Sequence, residues 1–189
     1  MSLSHDLAPV LGAIHYERDF DINGTLRTVI KNLEVKGVKV GGVLQESEFR
    51  PNGCCAQLNI VDIRTGKTER VTQDRGRESR GCKLDPRGLA AISHCITDAI
   101  DVGVDLVIIN KYGRAESEGD GLLSCIADAL LAGVPMLTTV RDPYVAARNY
   151  RFSFQTRQCV GSMSMSFFVE ASTQLFSLLR HGNTSAWIP

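Results

Sequence analysis

The chain has 189 residues, 43% apolar and 22% charged, with 21 basic residues balanced by 21 acidic ones. That length fits one domain, and that composition excludes wholesale disorder. A formal net charge of zero leaves no global field to favour nucleic acid or an anionic membrane.

No basic segment leads into an apolar run near the start, and no stretch approaches the ~20 apolar residues needed to cross a bilayer. The expectation is a cytoplasmic protein without membrane insertion, folded as one domain over residues 4–189. Six cysteines, at 54, 55, 82, 95, 125 and 159, are then expected as thiols.

Residues 8–15 form an almost continuous apolar run, APVLGAIH, which suits a strand buried on both faces. A polar, turn-rich segment follows. Leu26, Val29, Ile30 and Leu33 then recur at helical spacing, and Gly37 is a natural stop. Residues 38–44 read as a second strand, in which Gly41 and Gly42 permit close approach of backbone or ligand. Residues 56–72 differ: two alternating segments flank Arg64-Thr65-Gly66-Lys67, the pattern of an antiparallel β-hairpin.

An arginine-rich polar stretch leads to Asp85-Pro86, which combines an N-cap with proline at the first helical position. Leu89, Ile92, Ile96 and Ile100 give that helix its buried stripe, and Gly103 closes it. Residues 104–109 are the next strand, 110–119 a polar loop, and Asp120 the expected cap of a helix ending at Gly133. Residues 134–140 form another strand, and Asp142-Pro143 starts a further short helix. Beyond residue 149 the tail reads as helical, with Phe167, Phe168, Leu175 and Leu179 as its apolar positions. This alternation predicts a three-layer α/β fold: a mostly parallel sheet, helices on both faces, and an antiparallel hairpin insertion near 56–72.

Ligands in such sheets bind beyond the carboxyl ends of the strands. Those ends carry His15-Tyr16, Gln45-Glu46, Asn110-Lys111 and Arg141-Asp142, and the loop 73–85 is expected to join them. Arg75, Arg77, Arg80, Arg114 and Arg141 lie in these segments, and guanidinium forks match phosphates and other tetrahedral oxyanions. Gly81, Asn110, Lys111 and Gly113 complete the expected ligand-binding set. Helix N-termini at Thr25, Asp85 and Asp120 would add amide donors to the same rim.

Four apolar residues before a polar pair at 110–111 have the layout of a Walker B strand. Such a strand normally offers a carboxylate for Mg²⁺, where this chain has Asn110 and Lys111. Glu116 and Glu118 are the substitutes nearby, and His15 and Asp74 are candidates to orient water. The Walker A test fails as well: Gly12 is followed by AIHYERDFDING, with no G-x-x-x-x-G-K-[ST] pattern. Cys54, Cys55 and Cys82 are weak candidates for a soft metal, because adjacent cysteines do not both reach one tetrahedral zinc easily.

Several segments together resemble an uncharacterised bacterial family of unknown function whose genes are associated with molybdenum or tungsten transport. They are GAIHY (12–16), VGGVLQ (40–45), GCCAQLNIVDIRTGK (53–67), TQDRG (72–76), RGCKLDP (80–86), DLVIINKYGRAESEGDG (105–121) and GVPMLTTVR (133–141). The resemblance covers residues 8–148 and sets the tail, 149–189, apart. It implies a fold related to P-loop NTPases. The segment from Asn110 is also similar to the D-E-x-G-x-x-E of the thermophilic-type nucleoside-triphosphatases. Gly113 and Glu116 fit that pattern, whereas Asn110 and Lys111 depart from it.

Three functions follow as expectations. The first is binding of a nucleotide or a tetrahedral oxyanion such as molybdate at the strand ends. The second is a divergent Mg²⁺-dependent nucleoside-triphosphate hydrolase or transferase. The third is an interaction module in which the hairpin and the Phe-rich tail pair with a second copy or another partner.

Overall fold

The structure is a computed structural model that describes residues 10–48, 57–72, 85–147 and 157–162. Its elements are β1 (Val10–His15), α1 (Ile22–Val35), β2 (Val40–Glu48), β3 (Gln57–Asp62) and β4 (Thr68–Arg70), then α2 (Pro86–Asp101) and β5 (Leu106–Tyr112). They continue with α3 (Arg114–Glu118), α4 (Leu123–Leu131), β6 (Met136–Val140) and β7 (Arg157–Ser162). The seven strands form one sheet in the order β4-β3-β2-β5-β6-β1-β7. The run from β2 to β7 is parallel, and β3 and β4 extend it as an antiparallel edge.

The expected fold class is present, and the handedness of its crossovers explains its layers. From β1 to β2 the chain crosses the sheet one way through α1; from β4 to β5 and from β5 to β6 it returns through α2 and α4. Right-handed connections in opposite directions put helices on opposite faces. Strand alternation divides the core accordingly. Leu106 and Ile108 pack with Leu26, Val29 and Leu33 of α1, whereas Val107 and Ile109 pack with Ile92, Ile96 and Ile126 of α2 and α4.

Local chemistry departs from expectation at several places. α1 begins at Ile22 rather than Thr25, because Asp21 caps it: its carboxylate accepts the Gly24 N–H at 2.9 Å. Asp85 caps α2 as expected, accepting the Arg87 N–H at 2.9 Å, with Pro86 in the first turn. β5 continues through Asn110 and Lys111 to Tyr112, and the residues after it form the short helix α3 where a loop was expected. Asp120 does not cap α4, whose N-cap position is Leu122. The Leu122 N–H is instead taken by the Glu116 carboxylate at 3.0 Å.

Gly42 has φ +102, and a side-chain carbon there would lie 2.1 Å from the Ile108 carbonyl oxygen. The close approach at this glycine is therefore strand to strand, β2 against β5, and does not involve a ligand. In the hairpin, Asp62 organises the turn through its side chain, accepting the Arg64 N–H and the Thr65 hydroxyl, each at 2.9 Å. β7 pairs in parallel with β1 inside the stretch expected to be a helical tail. The tail helix expected around Phe167–Leu179 lies outside the described residues, and no described helix is long and apolar enough to cross a membrane.

Candidate functional site

A cavity of about 480 Å³ opens at the carboxyl ends of the parallel strands, on the α2 side of the sheet. Tyr16 reaches it from the end of β1, Gln45 from β2, Lys111 from β5 and Arg141 from the residue after β6. Gly113, Arg114, Ala115, Glu116 and Tyr144 also line it. Half-buried Leu58 of β3 and Leu89 of α2 give the lining its apolar part, backed by the core residues Ile60, Val71 and Ile92.

The end of β5 decides which groups face this space. Asn110 is fully buried and turned toward α1, where its amide donates to Asn23 Oδ1 at 2.7 Å and accepts the Thr139 hydroxyl at 2.6 Å. Asn23 in turn donates to the Gln45 carbonyl at 2.8 Å. One buried side chain thus joins α1, β2, β5 and β6. The pairing of β5 with β6 shifts register between Ile109 and Tyr112, and Lys111 and Tyr112 both line the cavity.

Glu116 is also buried and fully engaged. Its carboxylate accepts the Gly113 N–H at 2.9 Å and the Leu122 N–H at 3.0 Å, tying the start of α3 to the start of α4. Gly121 is required beside it: φ is +66, and a side-chain carbon would lie 2.3 Å from Glu116 Oε1. Glu118 is exposed and paired with Arg114 at 2.8 Å, which raises the Arg114 guanidinium above its usual range.

Lys111 and Arg141 are different. Neither has an acidic partner among the described residues. Burial, and behind it the positive charge of Arg141, hold the Lys111 ammonium below the ordinary lysine range. Burial raises the Tyr16 phenol, and Arg141 opposes that rise. The guanidinium is therefore felt by both neighbours, and the three groups form one electrostatic unit on the cavity wall.

The sequence-predicted residues divide clearly. Lys111, Gly113, Arg114, Arg141 and Glu116 come together around the cavity. Asn110 lies beneath it, in the packed interior. His15 sits apart and faces Asp142, with Nε2 3.4 Å from the carboxylate. Cys54, Cys55, Asp74, Arg75, Arg77, Arg80, Gly81 and Cys82 lie outside the described residues. Expectation missed the apolar wall, because its residues read as ordinary core of a strand and a helix. The signal that reaches it is the hairpin, whose antiparallel edge brings β3 over the α2 face.

The α1 N-terminus, where a P-loop would hold phosphate, already carries the Asp21 carboxylate, on the Gly24 amide. Mg²⁺ of the Walker B kind does not fit the described residues. Glu116 is consumed by backbone amides, Glu118 by Arg114, and Asn110 by Asn23 and Thr139. No cluster of three or more His, Cys, Asp or Glu side chains suited to a metal occurs among the described residues.

Known proteins agree with this architecture. A human cancer-related nucleoside triphosphatase superposes with a TM-score of 0.63 at 13% identity, covering 93% of this chain and 99% of that one. THEP1 from the hyperthermophile Aquifex aeolicus gives 0.59 at 13% identity, covering 90% and 98%. At that identity the likeness establishes the fold, which is P-loop NTPase-like. The molybdenum import ATP-binding protein ModC 2 of Bradyrhizobium diazoefficiens is 35% identical over 132 residues, 70% of this chain. The chain spans only 15% of the length of that relative. The family described as protein of unknown function DUF2478 matches residues 11–160, and the chain belongs to it.

Proposed function

We propose that the protein binds a tetrahedral oxyanion, free or as the phosphoryl end of a nucleotide, in this cavity, and does so without hydrolysing it. The observation that carries this reading is the pair Lys111 and Arg141 on the cavity lining, neither in an ion pair with a described residue, while the acid on that lining, Glu116, is engaged by backbone amides. Lys111 is half-buried beside the exposed Arg141 guanidinium, a placement that costs free energy, and an anion between the two cations offsets that cost. Tyr16 and Gln45 add hydrogen-bond donors on the same wall. The absence of hydrolysis is supported by the engagement of Asn110, Glu116 and Glu118 with protein groups. The relative's name makes molybdate and tungstate the first oxyanions to try.

The test is a thermal-shift and calorimetric panel of molybdate, tungstate, sulfate, phosphate, ATP, GTP and CTP, with and without Mg²⁺. A ligand at ~100 times its dissociation constant should stabilise the fold by ~2.7 kcal/mol. Lys111→Ala and Arg141→Ala should each weaken binding by about tenfold or more, as expected for loss of a charge-assisted contact. A flat panel, or binding that both variants leave unchanged, removes the proposal. Phosphate release from any nucleotide removes its non-hydrolytic part.

A further inference from the structure

We propose that the anion held here carries a neutral, apolar body of about the size of a fused ring system, so that a bare oxyanion fills only one end of the site. This rests on the anion reading above and names the class of ligand. The cavity measures about 480 Å³, whereas a five-atom oxyanion takes roughly the space of two or three waters at ~30 Å³ each. Most of the volume is left for something else.

The topology shows what kind of thing. Lys111 is the penultimate residue of β5 and Arg141 follows β6, while Leu58 and Ile60 lie on β3. In the order β3-β2-β5-β6 the outer strands are three spacings apart, about 14 Å at ~4.8 Å each. Charge therefore sits at one end of the cavity and aliphatic surface at the other. Leu89 of α2 belongs to the aliphatic end. The acid on the lining, Glu116, has both oxygens on backbone amides, so this wall offers no partner to a cationic body. An elongated site with a cationic end and an aliphatic end fits an anion joined to an apolar ring body, such as an aryl phosphate.

The probes are inorganic phosphate, 1-naphthyl phosphate and 1-naphthol, titrated calorimetrically into the wild-type chain, Arg141→Ala and Leu89→Ser. Naphthyl phosphate is expected to bind about 30-fold or more tighter than phosphate, from the apolar area it buries. Leu89→Ser should lower naphthyl phosphate affinity by about fivefold and leave phosphate unchanged, since only the ring reaches that wall. Arg141→Ala should weaken both phosphates. If phosphate and naphthyl phosphate bind equally and both depend on Arg141, the ring body is wrong and the anion reading stands. If Leu89→Ser and Leu58→Ser both fold and both leave naphthyl phosphate untouched, the assigned wall is wrong. If neither phosphate binds, or naphthyl phosphate and 1-naphthol bind alike and independently of Arg141, both readings fall.

Discussion

The two sides of the sheet at the end of β5 are built to opposite ends. On the α1 side, Asn110, Asn23 and Thr139 close on one another, and the Asp21 carboxylate caps the helix N-terminus at the Gly24 amide. On the α2 side, Lys111 and Arg141 stand on a cavity whose described acid, Glu116, is turned to backbone amides. A P-loop protein would place phosphate at the α1 end. Here that end satisfies its own polar groups, and the uncompensated charge lies across the sheet. The layers match an NTPase, and the anion site proposed above lies on the other face of the sheet.

The largest expected effect tests whether the α1 side is closed by Asn110. Asn110→Ala leaves the fully buried Thr139 hydroxyl and the half-buried Asn23 carbonyl without their partner, at a cost of about 3 kcal/mol. For a chain of this size the melting temperature should drop by about 6–12 °C. A loss below ~1 kcal/mol, outside the usual cost of such unpaired groups, would show that the amide does not hold the four elements together.

A second, intermediate effect concerns the open side. Lys111 loses its proton at lower pH in the folded protein than in the unfolded chain. Between those two values the unfolded state binds more protons, so stability rises with pH while affinity for an anion falls. Arg141→Ala removes the second cause of the depression, so the Lys111 titration should move upward toward the ordinary lysine range. The pH dependence of Lys111 acylation, followed by mass spectrometry, reads this directly. A midpoint that stays put in Arg141→Ala would break the electrostatic unit described for this wall.

The smallest effect sharpens the contrast. Asn caps a helix as well as Asp does, so Asp21→Asn removes little but the charge, and the loss should be about 0.3–1 kcal/mol. Oxyanion affinity should not change. An increase would mean that α1 is a latent anion site held shut by one carboxylate, and the two sides would be less distinct than argued.

Much of the fold was readable in advance. β1, β5 and β6 are nearly unbroken apolar runs, and Asp85-Pro86 announces α2 by chemistry alone. The failures have physical causes. Asp120 looked like a cap because nothing local reveals that Glu116 reaches forward to the Leu122 amide. β7 escaped notice because Arg157–Ser162 carries no apolar alternation; its place comes from backbone pairing along β1. The cationic half of the site was legible because strand ends concentrate ligand groups. The aliphatic part was not, since Leu89 has the same periodicity whether it faces a neighbour or a cavity.

The position of β1 has a consequence for how the molecule comes into being. It is the first described strand to leave the ribosome, yet Leu11 pairs with Met136 and Val10 with Arg157. At about 5–20 residues per second, it waits on the order of ten seconds for its two neighbours to be synthesised. Long-range parallel pairing of this kind is also slow in itself. Arg141 follows the strand that ends the first part of that wait, and the same event brings Tyr16 beside it. A nascent chain that has not yet made β6 therefore owns every residue of α1 and β2 without the Lys111–Arg141 pair on which the proposed anion site depends.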